Sequence, residues 1–379
     1  MAVGRIWQAE WKESKDSRSG VTVKQLTDYK CHSHHLYFTN PGWYDGGRKL
    51  LFGSDRENRT NLFGLDLVTG DIVQLTDYPA LDTRRALKTL RTCVSPVKDE
   101  AYTEYDGQVF ALDLNTMSVR ALWDVPSGYN ISMLNATADG KYVCAGIYED
   151  LSARFRIDLN RGYVGFEEIW NARPHAQIVR IPVDGGAAEI VWEENYWIGH
   201  INTSPTQSHL LTFCHEGPWN KVDNRIWGLD MLTGKAWHIR PREAQEFVGH
   251  EYWHADGVRV GYHGAWGDGR KFFGSLRYDN SDRIEVPFPH DTGHVHSNDA
   301  SMIVGDAHNV RLWRWNGVDY DGPRVLCEHR SSFHIQQVHV HPRFSPDGKY
   351  VIFTSDTTGY GNVYKVEIQE FDSLPLDEK

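Results

Sequence analysis

Gln336, His339 and His341 fall within six residues, immediately ahead of the segment RFSPDGKYVIFTSD. Alternate side chains of an extended strand share a face. His339 and His341 are therefore expected to point the same way, with Gln336 reaching round from a preceding turn. Two imidazoles and an amide oxygen are neutral donors, and they hold a divalent ion without cancelling its charge. Such an ion suits the polarisation of an anionic substrate.

Other histidines share a position relative to the turns. With the segments aligned on their Asp-Gly turns, His200 (before TSPT), His250 (before WHADG) and His341 (before FSPDG) fall at one offset. His294 joins them if the SNDAS turn is one residue short. A single histidine in a strand is more often a hydrogen-bonded structural side chain than a ligand. The shared offset is what predicts that these imidazoles face a common axis. His34 and His35, in SHHLYFT on the first inner strand, are together with His200 candidate substrate contacts. His215, His238, His254, His263 and His308 lie outside the pattern and are given no role.

These side chains must be positioned by repeated β units. The clearest copies span 42–77 and 343–369, each with a tight Gly-Gly or Asp-Gly turn followed by alternating β runs. Weaker copies lie at 94–123, at 135–150 with later strands near 175–192, and from 203, 252 and 296 onward. Short four-strand units at this spacing predict an all-β chain, a seven-bladed β-propeller forming one domain over 1–379. Segment 20–28, GVTVKQLTD, matches the end of the first full unit, GDIVQLTD. It is expected to close the last blade beside the C-terminal strands, which removes an open sheet edge. Residues 151–174 form an insertion, read as a loop with a short helix near 165–175. Its aromatic and arginine content would suit a substrate lid, although a packed surface loop is the plainer reading.

A formal net charge of −11 argues against a nucleic-acid partner, because no basic stretch meets phosphates. Local His, Arg or metal charge must then attract any anionic substrate. Cys31, Cys93, Cys144, Cys214 and Cys327 are dispersed, which reads as reduced thiols. The polar first twenty residues lack a signal-peptide core, and no apolar run approaches the length of a membrane span. A soluble cytoplasmic protein with no membrane partner is the expectation. There is no GxSxG elbow, P-loop, HExxH or GxGxxG opening a helix.

Imidazole, divalent ion and arginine together fit proton abstraction next to a carboxylate. Uronic acids carry a C5 hydrogen alpha to the C6 carboxylate. Removing it adds negative charge to an anionic group, so the barrier is electrostatic. Expulsion of the O4 substituent then leaves a 4,5-unsaturated uronate, and no water is consumed.

At this point the chain resembles the oligogalacturonate lyases of pectin catabolism. The resemblance runs from VKQLTD and SHHLYFTNP through HEGP…VDNRIW and GHEYW to QQVHVHPRFSPDGKYVIFTSD. It implies a seven-bladed propeller carrying Mn2+, with other divalent transition metals also accepted by such donors. The implied ligands are His294, Gln336, His339 and His341, with His296 a rival to His294 on the same strand face. The implied general base is His250, the histidine of GHE, and the catalytic arginine is Arg225 of VDNR. The substrate is then a small acidic oligosaccharide, digalacturonate or its unsaturated form. The alternatives are a lyase acting on another uronate oligomer, and a non-catalytic TolB-like binding propeller.

Overall fold

The computed structural model describes residues 2–81, 87–288 and 290–378. It divides into two compact units, residues 1–90 with 286–379, and residues 91–285.

The first unit holds three antiparallel sheets. One contains Trp43–Tyr44, Lys49–Ser54, Asn61–Asp66 and Ile72–Gln74. Its segments KLLFGS and NLFGLD are buried on both faces, and Leu50, Phe52, Phe63 and Leu65 share one core cluster. Burial of each such side chain contributes roughly 1.5–3 kcal/mol. The hairpin between Trp43–Tyr44 and Lys49–Ser54 turns at Asp45, Gly46 and Gly47, all at positive φ, so the two glycines relieve a conformation costly to other residues. A second sheet contains Val295–His296, Met302–Gly305, Val310–Trp315 and Tyr320–Cys327.

The third sheet joins the termini. Thr22–Gln25 lies against Asn362–Glu367, with Val23 opposite Val366 and Gln25 opposite Tyr364, followed inward by Tyr350–Ser355 and Arg343–Phe344. The expected closure by the N-terminal strand is therefore present. Two further outer strands were not expected. Lys12–Lys15 pairs with Thr22–Gln25, and Ile6–Trp7 pairs with Ile72–Gln74. All four side chains of KESK are exposed, so the segment carries no apolar alternation that a sequence pattern could reveal.

The second unit holds four sheets of four strands. Their first strands are Cys93–Val94, Tyr129–Ala136, Ile198–Thr203 and Phe247–Trp253. The insertion contains a helix over Phe166–Ala172 that buries Ile169. Phe155, Ile157, Leu159 and Trp170 pack with it against a cluster containing Tyr148 and Trp197. The insertion is thus held by apolar contacts inside its own unit. The seven sheets, five of them running through consecutive strands and two taking outer strands from the N-terminal segment, are the blades of a β-propeller. All five cysteines are free and buried. Among the described residues no helix is long and apolar enough to cross a membrane.

Candidate active site

In the first unit, His294, His339 and His341 each offer a ring nitrogen, and these atoms all lie within 4.8 Å of one another. The His294 and His341 rings are 4.3 Å apart, and each lies 5.7 Å from His339. Nitrogens around a first-row ion at about 2.1 Å stand about 3–4 Å from each other, so small ring movements would seat an ion. The segment carrying two of these residues is not the plain strand expected. Gln336–Val338 is one turn of 3-10 helix, the His339 N–H donates to the Gln336 carbonyl at 3.2 Å, and His341 has φ +47. The strand proper begins at Arg343.

Asp306 orients His294. One carboxylate oxygen accepts from the His294 N–H at 2.7 Å and the Gly293 N–H at 3.0 Å. The other accepts from His294 Nδ1 at 2.8 Å, which fixes the tautomer and leaves Nε2 with its lone pair. Burial by itself raises a carboxyl pKa, yet the contact and hydrogen bonds with His294 hold Asp306 below the usual range. His296 faces away, its Nδ1 accepting from the Phe344 N–H at 3.4 Å. Of the two rivals, His294 is the one in the cluster.

The donor set fits a divalent ion on an independent observation. His339 Nδ1 is buried with no hydrogen-bond partner among the described residues, a state that costs about 1–3 kcal/mol unless another group supplies the partner. Burial and then the neighbouring His294 push the His339 pKa down to about 4. At neutral pH the ring is uncharged and keeps a lone pair to donate.

In the second unit, His250 sits where the strand Phe247–Trp253 slips register between Gly249 and Tyr252. His200 occupies the matching slip between Gly199 and Asn202. Their φ values are +51 and +46, beside +47 for His341. The three histidines that share an offset in sequence thus share a left-handed backbone in a bulged or irregular segment. This costs a residue with a side chain free energy and turns its imidazole out of the pleat.

His250 Nδ1 lies 3.0 Å from His263 Nε2, and the two rings stack at 15°. The indole of Trp219 meets the His250 ring edge-on at 4.9 Å, and the Arg225 guanidinium lies 5.2 Å from the Trp219 centroid. Arg225 is only 3% exposed, and its Nη1 is 3.0 Å from Glu216 Oε1. Glu216 Oε2 in turn lies 3.2 Å from His200 Nε2. Burial raises a carboxyl pKa, but Arg225 and then His200 pull Glu216 well below its usual range. Glu251, with Oε2 3.8 Å from Arg225 Nε, is pushed up by burial and accepts no hydrogen bond among the described residues. Arg225 is therefore a buried cation paired through Nη1 with Glu216.

Three Gly-His pairs stand out. A Cβ at Gly199 would lie 2.8 Å from Glu216 Oε2, one at Gly249 2.6 Å from the Trp219 ring, and one at Gly293 2.7 Å from Asp306 Oδ1. Each glycine leaves room for a group that its histidine touches directly. Sequence reasoning passed over Asp306, Glu216, Trp219, Glu251 and His263, and the repeated Gly-His dipeptide was the available signal for the first three. His34 and His35 are pinned within the first unit. His34 bonds the His35 carbonyl at 2.9 Å and Thr89 Oγ1 at 3.0 Å, and His35 Nε2 lies 3.4 Å from the Val340 carbonyl.

A family model described as oligogalacturonate lyase matches residues 1–322. That match ends before Gln336, so the grouping of His339 and His341 with His294 rests on geometry. The chain is 25% identical to the oligogalacturonate lyase of Dickeya dadantii and 24% identical to the oligogalacturonide lyase of Pectobacterium atrosepticum, in each case over 98% of this chain and 99% of the relative. A solved oligogalacturonate lyase of Vibrio parahaemolyticus superposes with a TM-score of 0.86 at 23% identity, over 97% of this chain and 99% of that one. An oligogalacturonate lyase solved in complex with manganese gives 0.86 at 26%, over 98% and 99%. The seven-bladed fold, the Gly-His geometry and the match over most of the chain lead to one placement: the chain belongs to the oligogalacturonate lyase family.

Proposed function

We propose that the protein cleaves short oligogalacturonates, digalacturonate or unsaturated digalacturonate, by β-elimination, with His250 as the base. The observation that carries this reading is the cluster of His294, His339 and His341 backed by Asp306, in a chain of this family. These three, joined by Gln336 from the adjoining turn, would hold a divalent ion. Manganese is the choice suggested by the related complex, although neutral nitrogen donors also take other first-row ions. A bound ion supplies positive charge for the uronate carboxylate, several kcal/mol of stabilisation in typical cases.

His250 does the proton chemistry. With its Nδ1–H donating to His263 Nε2, His250 Nε2 keeps a lone pair, and the imidazolium formed on capture of the C5 proton keeps a hydrogen-bond acceptor. The C5–H electrons form the C4=C5 double bond, and the C4–O4 pair leaves with the departing sugar, which takes up a proton. Arg225 and Glu216 act together, the ion pair fixing Arg225 Nη1 and leaving the rest of the guanidinium as a positive charge beside Trp219. Arg225 holds Trp219 against His250 and keeps a fixed positive charge in the same cluster. Both nitrogens of His34 are engaged internally, so its role in this reading is structural. The five buried free thiols support a reducing, cytoplasmic setting.

The test is the ultraviolet absorbance of the unsaturated product when digalacturonate meets metal-loaded protein. His250→Ala is expected to lower kcat by about 10²–10⁴-fold while metal binding stays unchanged. Full activity in that variant would remove His250 from the chemistry.

A further inference from the structure

In the second unit, His200, Cys214 and Glu216 form another group whose ligand atoms all lie within 4.8 Å of one another. They come from two paired strands of one blade, Ile198–Thr203 and Leu210–His215, and from the residue just after the second. Cys214 and Glu216 are two residues apart and share a face of the extended chain. Gly199 stands opposite Cys214 and has no side chain to fill that face. A Cβ there would lie 2.8 Å from Glu216 Oε2 and 3.2 Å from Cys214 Sγ. The register slip after Gly199, with His200 at φ +46, turns the imidazole towards the same carboxylate. Two contacts then converge on one oxygen: Glu216 Oε2 lies 3.2 Å from His200 Nε2 and 3.7 Å from Cys214 Sγ. Around a tetrahedral zinc ion, nitrogen and oxygen ligands stand about 3.4 Å apart, and sulfur and oxygen ligands about 3.6 Å apart. The spacing of the group is that of a zinc site.

We infer that His200, Cys214 and Glu216 bind a zinc-class ion, in addition to the ion held by His294, His339 and His341. The two donor sets differ in softness. A thiolate selects zinc, cobalt or cadmium, whereas imidazole and amide donors without sulfur also accept manganese. Coordination breaks the Cys214 S–H bond, forms a sulfur–ion bond and releases the proton to solvent. Arg225 bonds the other oxygen, Glu216 Oε1, at 3.0 Å and leaves Oε2 for the ion. The guanidinium charge opposes a cation, and Glu251, with Oε2 3.8 Å from Arg225 Nε, is a second carboxyl placed to balance it. Cys214 is fully buried while the His200 side chain is 24% exposed, so the ion enters from the imidazole side and water completes the fourth position.

The experiment is titration of cobalt(II), a spectroscopic stand-in for zinc, into manganese-loaded protein, read by near-ultraviolet absorbance. A cobalt–thiolate bond gives a charge-transfer band that nitrogen and oxygen ligands do not, so the histidine cluster of the first unit is silent in this readout. Wild type is expected to develop the band, and Cys214→Ser to lose it. His200→Gln should weaken cobalt binding by at least about tenfold, no less than the loss of a residue that merely supports a ligand. Absence of the band in wild type overturns the inference, and so does a band that survives in Cys214→Ser. Should the serine variant fail to fold, His200→Gln decides, and an unaltered cobalt affinity there overturns it. The readout is sulfur coordination rather than turnover, so the result stands whether or not digalacturonate is cleaved.

Discussion

His250 and Arg225 meet on one indole: the His250 ring stands edge-on to Trp219 at 4.9 Å, and the Arg225 guanidinium lies 5.2 Å from the Trp219 centroid. Trp219 therefore sets the distance between an imidazole and a buried cation. Trp219→Leu is expected to lower kcat by about tenfold or more through loss of orientation, with KM changed less. Steady-state kinetics on digalacturonate check this, and a pure KM effect would mean that Trp219 contacts substrate instead.

Asp306 carries the orientation of His294 through three hydrogen bonds. Asp306→Asn keeps the shape but loses the charge behind the imidazole. Manganese affinity is expected to fall by about 10- to 100-fold, read by titration of free ion. Unchanged affinity would remove His294 from the metal site.

Gly249 tests the Gly-His geometry. The Cβ of Gly249→Ala would sit 2.6 Å from the Trp219 ring, so indole or strand must shift. The expected cost is about 1–3 kcal/mol in stability, measured by denaturant unfolding, together with a loss of activity. Gly269→Ala, at a positive-φ turn where a Cβ would meet nothing within 4 Å, is the control that changes stability without touching kcat.

Much of this was legible in the sequence, and the reasons differ by residue. The closing strand Thr22–Gln25 was readable because GVTVKQLTD copies the end of a complete unit. The shared offset of His200, His250 and His341 was readable because turns are punctuated by Asp-Gly, and it corresponds to a common left-handed backbone. Asp306 and Glu216 were hidden, since a carboxylate that supports a neighbouring strand carries no local spacing. His263 was set aside because it faces His250 from the next strand, a pairing that only register reveals. Gln336 was read in a preceding turn, where the structure has the 3-10 turn Gln336–Val338, but the regular strand expected at His339 and His341 begins only at Arg343, because alternating histidines mimic β periodicity.

His215 offers a pH test of stability, separate from catalysis. Burial by itself lowers its pKa, but Asp223 at 2.6 Å and Glu194 at 3.1 Å outweigh that and raise it. A raised folded-state pKa contributes stability that is fully present below the unfolded value of about 6.5 and is lost as pH rises through the folded value. His215→Gln should therefore destabilise more at about pH 6 than at about pH 9. The expected difference is about 1 kcal/mol, reduced because Asp223 is half exposed. Equal destabilisation at both pH values, by thermal unfolding, would contradict the ion-pair account.

The most direct measurement is the mass of the products from digalacturonate and manganese-loaded protein. The account predicts one saturated galacturonate and one unsaturated uronate, whose masses sum to that of the substrate. Two saturated galacturonates carrying an added water, or no cleavage at all, would contradict it.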